Sequence, residues 1–388
     1  MVQIKCLNSI SPLGLERFGS GYSISEDAAR PDGILVRSAS MHGMELPDSL
    51  LAIARAGAGV NNIPVDNCSA QGIVVFNTPG ANANAVKELV LCSLFLTSRK
   101  IMASADWVKT LKGHGTDVGK LVEQGKSAFS GPEILGKSLG VVGLGAIGIL
   151  VANAAEQLGM TVYGFDPFLS VDSAWRLSSA VRHSPSFDDI CANCDYITLH
   201  LPLTPETKGM IDSGAIAKMK DGVRILNFAR GELIDPAAVL ESLQTEKIAA
   251  YATDFPDDSL IGAENVVALP HLGASTPESE ENCAVMAADQ LREYLETGNV
   301  RNAVNLANVS MPREPDTVRI CLFHRNIPNT IAVLAAACGK AGINIETMQS
   351  KSKNEYAYTI LDVSGEISEE AVESLKQLEP IIRCRVIR

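Results

Sequence analysis

Three segments of this chain each place isolated polar groups just beyond a short apolar run. They are Asn227-Phe-Ala-Arg230-Gly-Glu-Leu-Ile-Asp235, Ala252-Thr-Asp254-Phe-Pro-Asp257-Asp258 and Leu269-Pro-His271-Leu-Gly-Ala-Ser-Thr276. Together they hold a cation, several carboxylates and an imidazole. Oxidising a hydroxy acid needs that set: a base for the hydroxyl proton, a cation for the carboxylate, and an acid to orient the base. Histidine suits the base because it titrates near neutral pH, and a carboxylate on Nδ1 fixes its tautomer and raises its basicity. The plainer alternatives are an ion pair of Arg230 with Glu232 or Asp235, and a hydrogen-bonded strand-end role for His271.

An oxidation also needs an electron acceptor, and Gly143-Leu-Gly-Ala-Ile-Gly148 has the spacing to hold one. The apolar run Leu139 to Val142 precedes it and a helical pattern opening with Ala146 and Ile147 follows. Gly143 permits a tight turn, Gly145 lets backbone N–H groups approach a pyrophosphate, and Gly148 lets the helix pack close to the strand. Phosphates then sit on a helix N-terminus, where unpaired N–H groups and the dipole favour anions. Asp166 ends the next apolar run, Thr161-Val-Tyr-Gly-Phe165. Its carboxylate can accept from both ribose hydroxyls and would repel a 2′-phosphate, and neither Pro167 nor Phe168 offers a cation, so the expected cofactor is NAD.

The elements that must position these groups alternate between strand and helix patterns. Residues 1 to about 95 read as short α/β units with apolar runs Gly33 to Val36, Leu51 to Ala54 and Gly72 to Phe76, and Ala85 to Thr97 reads as a buried crossing helix. A second α/β block runs to about 282, and a helix from roughly 278 to 297 ends at Gly298. Such alternation implies doubly wound parallel sheets with ligands at the C-terminal strand ends. Met311-Pro-Arg-Glu-Pro-Asp316 reads as a linker, and residues 317 to 388 give the order βαββαβ of a ferredoxin-like fold. The expected domains are therefore 1–95 with 283–310 for substrate, 96–282 for NAD, and 317–388 as a third unit.

The chain has 388 residues, 46% hydrophobic and 20% charged, with a net charge of −12. That charge opposes binding to nucleic acid or anionic membranes, and no apolar run of about 18 residues exists to span a bilayer. A cytoplasmic protein with reduced thiols is expected from the nine scattered cysteines and a start that lacks an apolar signal segment. Cys191-Ala-Asn-Cys194 has no second pair or histidine cluster beside it, so no metal site is expected.

The three segments, the glycine cradle and the strand end His200-Leu-Pro-Leu-Thr-Pro-Glu-Thr207 closely resemble the D-isomer-specific 2-hydroxyacid dehydrogenases, over nearly all of the chain. Within that family the chain is similar to the phosphoglycerate dehydrogenases that carry a C-terminal ACT unit. The resemblance implies that Arg230 binds the substrate carboxylate and that His271 exchanges a proton with the C2 oxygen. It further implies that Asp254 contacts the nicotinamide side of the cofactor, and that Pro202, Phe228 and Ala229 line its site. The family's orienting acid is a Glu five residues after the position of Asp254, where this chain has Ser259. If the segment is one residue shorter, Asp258 takes that role, with Asp257 as the alternative. His200 is expected to be structural, and His42, His114 and His183 to lie at the surface or at caps.

By the same resemblance, Arg37, Ser38, Arg55 and Asn82 hold a substrate phosphate, with Lys126 a weaker candidate. Backbone N–H groups from Ala58 and Gly59 to Val60 help with the carboxylate. Guanidinium geometry suits phosphate; the alternative for each arginine is a surface charge. His324, Asn326 and Asn344 match positions that hold an L-serine effector across a subunit interface, which implies a homo-oligomer, dimer or tetramer. Alternatively, the last unit only assembles subunits. The implied activity is NAD-dependent oxidation of 3-phospho-D-glycerate to 3-phosphooxypyruvate, the first step of L-serine biosynthesis. The rivals are a hydroxypyruvate or glyoxylate reductase and an NAD(H)-sensing binding protein.

Overall fold

The computed structural model describes residues 1–314, 316–365 and 367–388, so Pro315 of the expected linker lies outside the described residues. Its two compact units are Met1–Asn82 with Pro277–Arg388, and Ala83–Thr276.

The first unit opens with five parallel strands: β1 (Val2–Cys6), β2 (Tyr22–Ser25), β3 (Gly33–Val36), β4 (Ala52–Arg55) and β5 (Val74–Phe76), in the order β2-β1-β3-β4-β5. Strands β3 to β5 are buried on both faces, which is why they read as continuous apolar runs. The helix Pro277–Thr297 covers one face, burying Ala284, Ala287, Ala288 and Leu291 against Ile4, Leu35, Ala54 and Phe76. At Gly14 a Cβ would come within 2.7 Å of the Ala284 backbone, so the short helix Pro12–Leu15 needs a glycine to cross there.

The second unit holds seven parallel strands: β6 (Ser138–Val142), β7 (Thr161–Phe165), β8 (Arg182–His183), β9 (Tyr196–Leu199), β10 (Val223–Asn227), β11 (Ile248–Thr253) and β12 (Val266–Ala268). Their order is β12-β11-β10-β9-β6-β7-β8, so the winding reverses between β6 and β9, and the C-terminal strand ends there form the crevice where such sheets bind ligands. The helix Ala83–Ser98 was expected to end the first block near residue 95. Instead its Val86, Val90 and Leu94 are buried with Leu139, Val141 and Leu226, which moves the division to Asn82. At the other end the division falls before Pro277, because the whole of the long helix packs with the first sheet. Between the helix Ala83–Ser98 and β6 lie helices Ile101–Thr110 and Val118–Gly125 and a 3-10 turn, Lys126–Phe129. Lys126 pairs with Glu123 in that segment.

Back in the first unit, β13 (Thr317–Arg325), β14 (Asn344–Lys353), β15 (Tyr356–Ser364) and β16 (Ile381–Ile387) form an antiparallel sheet, ordered β14-β15-β13-β16. With the helices Thr330–Lys340 and Glu369–Lys376 this is the βαββαβ arrangement that the sequence pattern predicts. One face buries Ile320, Leu322, Leu361 and Val363 under its helices. The other face, with Cys321, Phe323, Tyr358 and Ile360, joins the core of the first sheet through Tyr294, whose ring lies 6.3 Å from that of Tyr358. The C-terminal sheet is thus packed into the first unit and does not form a third contact unit. Among the described residues no helix is long and apolar enough to cross a membrane, and no group of three or more His, Cys, Asp or Glu side chains could hold a metal ion. All nine cysteines are unpaired.

Candidate functional site

In the second unit the polar groups gather at the C-terminal ends of the parallel strands. Gly143 ends β6 with φ at 92°, and a Cβ there would lie 2.6 Å from the His200 carbonyl oxygen. A Cβ on Gly148 would lie 1.9 Å from the Gly143 carbonyl oxygen, so the helix Ala146–Gln157 packs closely on the turn. Gly145 is different: it caps that helix without a side-chain bond, and a Cβ on it would meet nothing within 4 Å. Packing within the protein does not require that glycine, whereas a ligand resting on the open helix N-terminus does. Asp166 borders this opening. Its Oδ2 accepts from the Leu144 N–H at 2.9 Å and its Oδ1 from the Phe168 N–H at 2.8 Å, and each oxygen retains a second acceptor position for a ribose hydroxyl. The chemistry of this cradle fits a dinucleotide without a 2′-phosphate.

Two polar atoms nearby lack protein partners. Asp254 is 2% exposed, its Oδ2 accepts from the Gly273 N–H at 2.9 Å, and its Oδ1 is buried without a partner. Burial pushes the Asp254 pKa up, with the Gly273 N–H and then His271 opposing. His200 bonds Thr198 through Nε2 at 3.0 Å while its Nδ1 is buried unpartnered, and burial drives its pKa down to about 3, leaving a neutral ring. Buried polar atoms are seldom left unbonded, so each of these two has a hydrogen-bonding position to spare. Phe228 is buried, Ala229 half-buried and Pro202 exposed, with its carbonyl accepting from the Thr207 hydroxyl at 2.8 Å.

Arg230 is exposed, with Nη1 donating to the Ala229 carbonyl at 2.6 Å. The alternative ion pair is not formed: Asp235 instead caps the helix Pro236–Gln244 through the Ala237 N–H at 3.0 Å. His271 is also exposed, and its ring packs on Phe255 with centroids 4.7 Å apart. Phe255 in turn lies beside Gly231, where a Cβ would come within 3.3 Å of the Phe255 Cβ, so Arg230's loop and His271 flank one aromatic ring. The expected orienting acid is not found against His271. Asp257 spends Oδ1 on its own turn, accepting from Ser259 N–H at 2.9 Å, Ser259 Oγ at 2.6 Å and Leu260 N–H at 3.1 Å. Asp258 is exposed and, among the described residues, makes no hydrogen bond to His271.

In the first unit the candidate substrate residues collect after β3 and β4. Asn8 Oδ1 accepts from the backbone N–H groups of Arg37, Ser38 and Ala39 at 3.1, 3.1 and 2.9 Å. Arg55 Nε donates to the Arg37 carbonyl at 3.0 Å, and its guanidinium lies over Gly57, where a Cβ would be 2.3 Å from Nη1. The Ala58 carbonyl is taken by Asn77 Nδ2 at 2.6 Å, Gly59 is half-buried beside it, and Asn82 is half-buried before the crossing helix. Arg37 forms an ion pair with Glu280, with side chains 44% and 42% exposed, so its charge is shared rather than wholly available. Exposed pairs of this kind contribute about 0–1 kcal/mol, little enough for a phosphate to displace one.

The C-terminal sheet departs from expectation at His324. That residue is 2% exposed, its Nε2 bonds the Thr359 hydroxyl at 2.8 Å and its Nδ1 the Arg325 carbonyl at 2.9 Å, and burial lowers its pKa. With both nitrogens satisfied inside the sheet, it is not presented to an effector. Asn326 and Asn344 are exposed, but at opposite ends of the sheet, because Asn344 pairs with Ser364 while Arg325 pairs with Tyr356. His42 Nε2 meets the Asn61 carbonyl at 2.9 Å, and His114 precedes a 3-10 turn without capping it. Cys191 and Cys194 are buried thiols, pushed up to about 11 and about 12 by burial. Asn227, Thr253 and Phe255 were not singled out from the sequence, although a buried Asn or Thr closing an apolar strand is a readable signal.

Comparisons with known proteins agree with this geometry. The profile described as "D-isomer specific 2-hydroxyacid dehydrogenase, NAD binding domain" matches residues 91–273. D-3-phosphoglycerate dehydrogenase of Haemophilus influenzae is 30% identical over 359 residues, covering 89% of this chain and 83% of that one. The proteins of the same name from Bacillus subtilis and Mycobacterium leprae are 35% and 39% identical over 82% and 71% of this chain, which spans only 59% and 51% of their lengths. Among solved structures, NAD+-bound 3-phosphoglycerate dehydrogenase of Entamoeba histolytica superposes with a TM-score of 0.58 at 26% identity, over 78% of this chain and 98% of that one. The D-mandelate dehydrogenase of Rhodotorula graminis shares the fold, with a TM-score of 0.68 at 21% identity, over 81% and 99% of the two chains. With a relative matched over most of both lengths and the family's profile lying across the second unit, the chain belongs to the D-isomer-specific 2-hydroxyacid dehydrogenases.

Proposed function

We propose that this protein oxidises 3-phospho-D-glycerate to 3-phosphooxypyruvate with NAD, the entry reaction of L-serine biosynthesis, in the cytoplasm. The observation that carries the reading is the pairing, at the strand ends of one sheet, of a dinucleotide cradle bordered by Asp166 with an Arg230 free of ion pairs and an exposed His271 on either side of Phe255. NAD supplies the acceptor for the hydride that leaves C2. Gly143 to Gly148 hold its pyrophosphate by backbone N–H groups, Asp166 its ribose, and the unpartnered Asp254 Oδ1 a polar group at the nicotinamide end. Arg230 binds the substrate carboxylate and polarises the C2 oxygen, and His271 takes the hydroxyl proton through a ring nitrogen. Asp166 disfavours a 2′-phosphate, in keeping with NAD.

In the first unit, Arg37, Ser38, Arg55 and Asn82 would take the substrate phosphate, with the Ala58–Gly59 backbone near the carboxylate. One observation favours the rival reading, reduction of hydroxypyruvate or glyoxylate: Glu280 already neutralises Arg37. Turnover of 3-phospho-D-glycerate and D-glycerate with NAD, the keto product trapped, separates the two. A kcat/KM at least about 100-fold higher for the phosphorylated acid, lost in Arg55→Ala, supports the proposal. Equal values leave a general hydroxyacid oxidoreductase. The C-terminal unit is proposed as a serine-responsive module of a homo-oligomer. Asn326 and Asn344 stand too far apart in one copy to share an amino acid, so one ligand held by both needs two copies, and His324 takes no part.

A further inference from the structure

Asn227 and Thr253 close the adjacent parallel strands β10 and β11 and face each other in register. Both are 0% exposed. Each turns its side chain onto the loop that follows. Asn227 Oδ1 accepts from the Ala229 N–H at 3.2 Å, and Thr253 Oγ1 accepts from the Phe255 N–H at 3.0 Å. Asn227 also donates from Nδ2 to the Arg230 carbonyl at 2.8 Å. The buried Tyr251 stands two residues before Thr253 on the same strand, so their side chains share a face of the sheet. The neighbouring strand positions Leu226 and Ala252 are apolar, as burial there would dictate. A polar side chain at such a depth is costly unless bonded, and these two spend most of their bonds on the two loops of the site.

The consequences appear one step further on. Asn227 fixes the backbone on both sides of the Ala229–Arg230 peptide, which sets the origin of the guanidinium. Thr253 fixes Phe255, whose ring carries His271 at a centroid distance of 4.7 Å and abuts Gly231 behind Arg230. We propose that Asn227 and Thr253 are paired positioning residues, Asn227 acting through Arg230 and Thr253 acting through Phe255 on His271. This rests on the reading given under Proposed function. In the absence of a carboxylate bonded to His271, the Thr253–Phe255 contact is what fixes the imidazole.

The test is steady-state kinetics of Asn227→Ala, Thr253→Val and Thr253→Ser in the full chain, with NADH affinity by fluorescence and melting temperature as controls. Thr253→Val keeps the buried volume and removes the hydroxyl. It is expected to lower kcat by about 10- to 100-fold, the scale of a misplacement near 1 Å, with NADH affinity retained. Thr253→Ser is expected to recover to within about threefold of the parent. Asn227→Ala is expected to raise KM for the hydroxy acid, and its effect is expected to shrink in an Arg230→Lys background. Should Asn227→Ala not fold, the two Thr253 variants carry the test alone. Parent-like kinetics in Thr253→Val, a Thr253→Ser variant no better than Thr253→Val, or losses in Asn227→Ala that simply multiply with those of Arg230→Lys would overturn the proposal. A parent chain that turns over no 2-hydroxy acid overturns the functional reading itself, and the proposal with it.

Discussion

At the scale of single residues, function rests on what each polar atom has left to offer. Among the described residues the Arg230 guanidinium meets only the Ala229 carbonyl and forms no ion pair, so its charge is available. Arg230→Lys keeps the charge but loses the bidentate fork, and kcat/KM should fall by about 100-fold or more while NADH affinity, measured by fluorescence titration, stays near that of the parent. An equal loss of both would place Arg230 in the cofactor site. His200 makes the opposite case. Its pKa falls from 6.5 to about 3, so the folded protein binds fewer protons than the unfolded chain between those values. The stability it contributes is complete above about pH 6.5 and is lost as pH falls toward 3. His324 shifts in the same direction. Melting temperature should therefore drop on acidification from pH 7 to pH 4, and His200→Gln should flatten that drop; an unchanged slope would contradict the assignment. These two histidines look alike in sequence, each after an apolar run, and only the folded chain shows that burial lowers the pKa of both.

At the scale of elements, the loop Asp254 to Leu260 decides which acid does what. Asp257 holds the turn through three bonds, whereas Asp258 is exposed. Asp257→Ala should cost about 0.5–2 kcal/mol of stability in urea titrations, in the range of lost local caps, whereas Asp257→Asn keeps the accepting oxygen and should cost little. Asp258→Asn should leave both stability and kcat near the parent's, and a collapse of kcat in Asp258→Asn alone would restore Asp258 as the orienting acid. The sequence left this loop ambiguous because a shift of one residue in a Pro-containing turn leaves no periodic trace. The cradle was legible for the contrary reason, since an apolar strand, spaced glycines and an amphipathic helix repeat one constraint at three levels. The βαββαβ order was legible because its strands and helices are long enough to show their periods. The helices between Ile101 and Gly125 and the two-residue β8 were not, being short, polar or both. His324 was misplaced because sequence shows a residue's type and position along a strand but not how the strand is covered: by alternation it falls on the same face as Ile320 and Leu322, which is buried.

At the scale of the molecule, the C-terminal sheet is bound into the first unit by polar as well as apolar contacts. Arg319 and Asp362, both fully buried, pair through two 2.7 Å bonds, and Arg319 also donates to the carbonyls of Thr297, Met311 and Pro312. Tyr358 adds a bond to the Gly298 carbonyl at 2.8 Å. Asp362→Ala would leave a buried guanidinium without its counter-charge and should destabilise the chain by about 3–5 kcal/mol. A loss below about 1 kcal/mol would mean that water reaches Arg319 and that the sheet is more loosely held.

In the proposed reaction a hydride leaves C2 of a phosphorylated hydroxy acid for a nicotinamide held in the Gly143–Gly148 cradle. The most direct measurement is a single turnover of C2-deuterated 3-phospho-D-glycerate with NAD, followed by mass spectrometry of the recovered cofactor. One deuterium is expected in the reduced nicotinamide with the parent chain and none above background with Arg230→Ala. Deuterium lost to solvent, or oxidation of the acid without labelled NADH, would contradict that reaction.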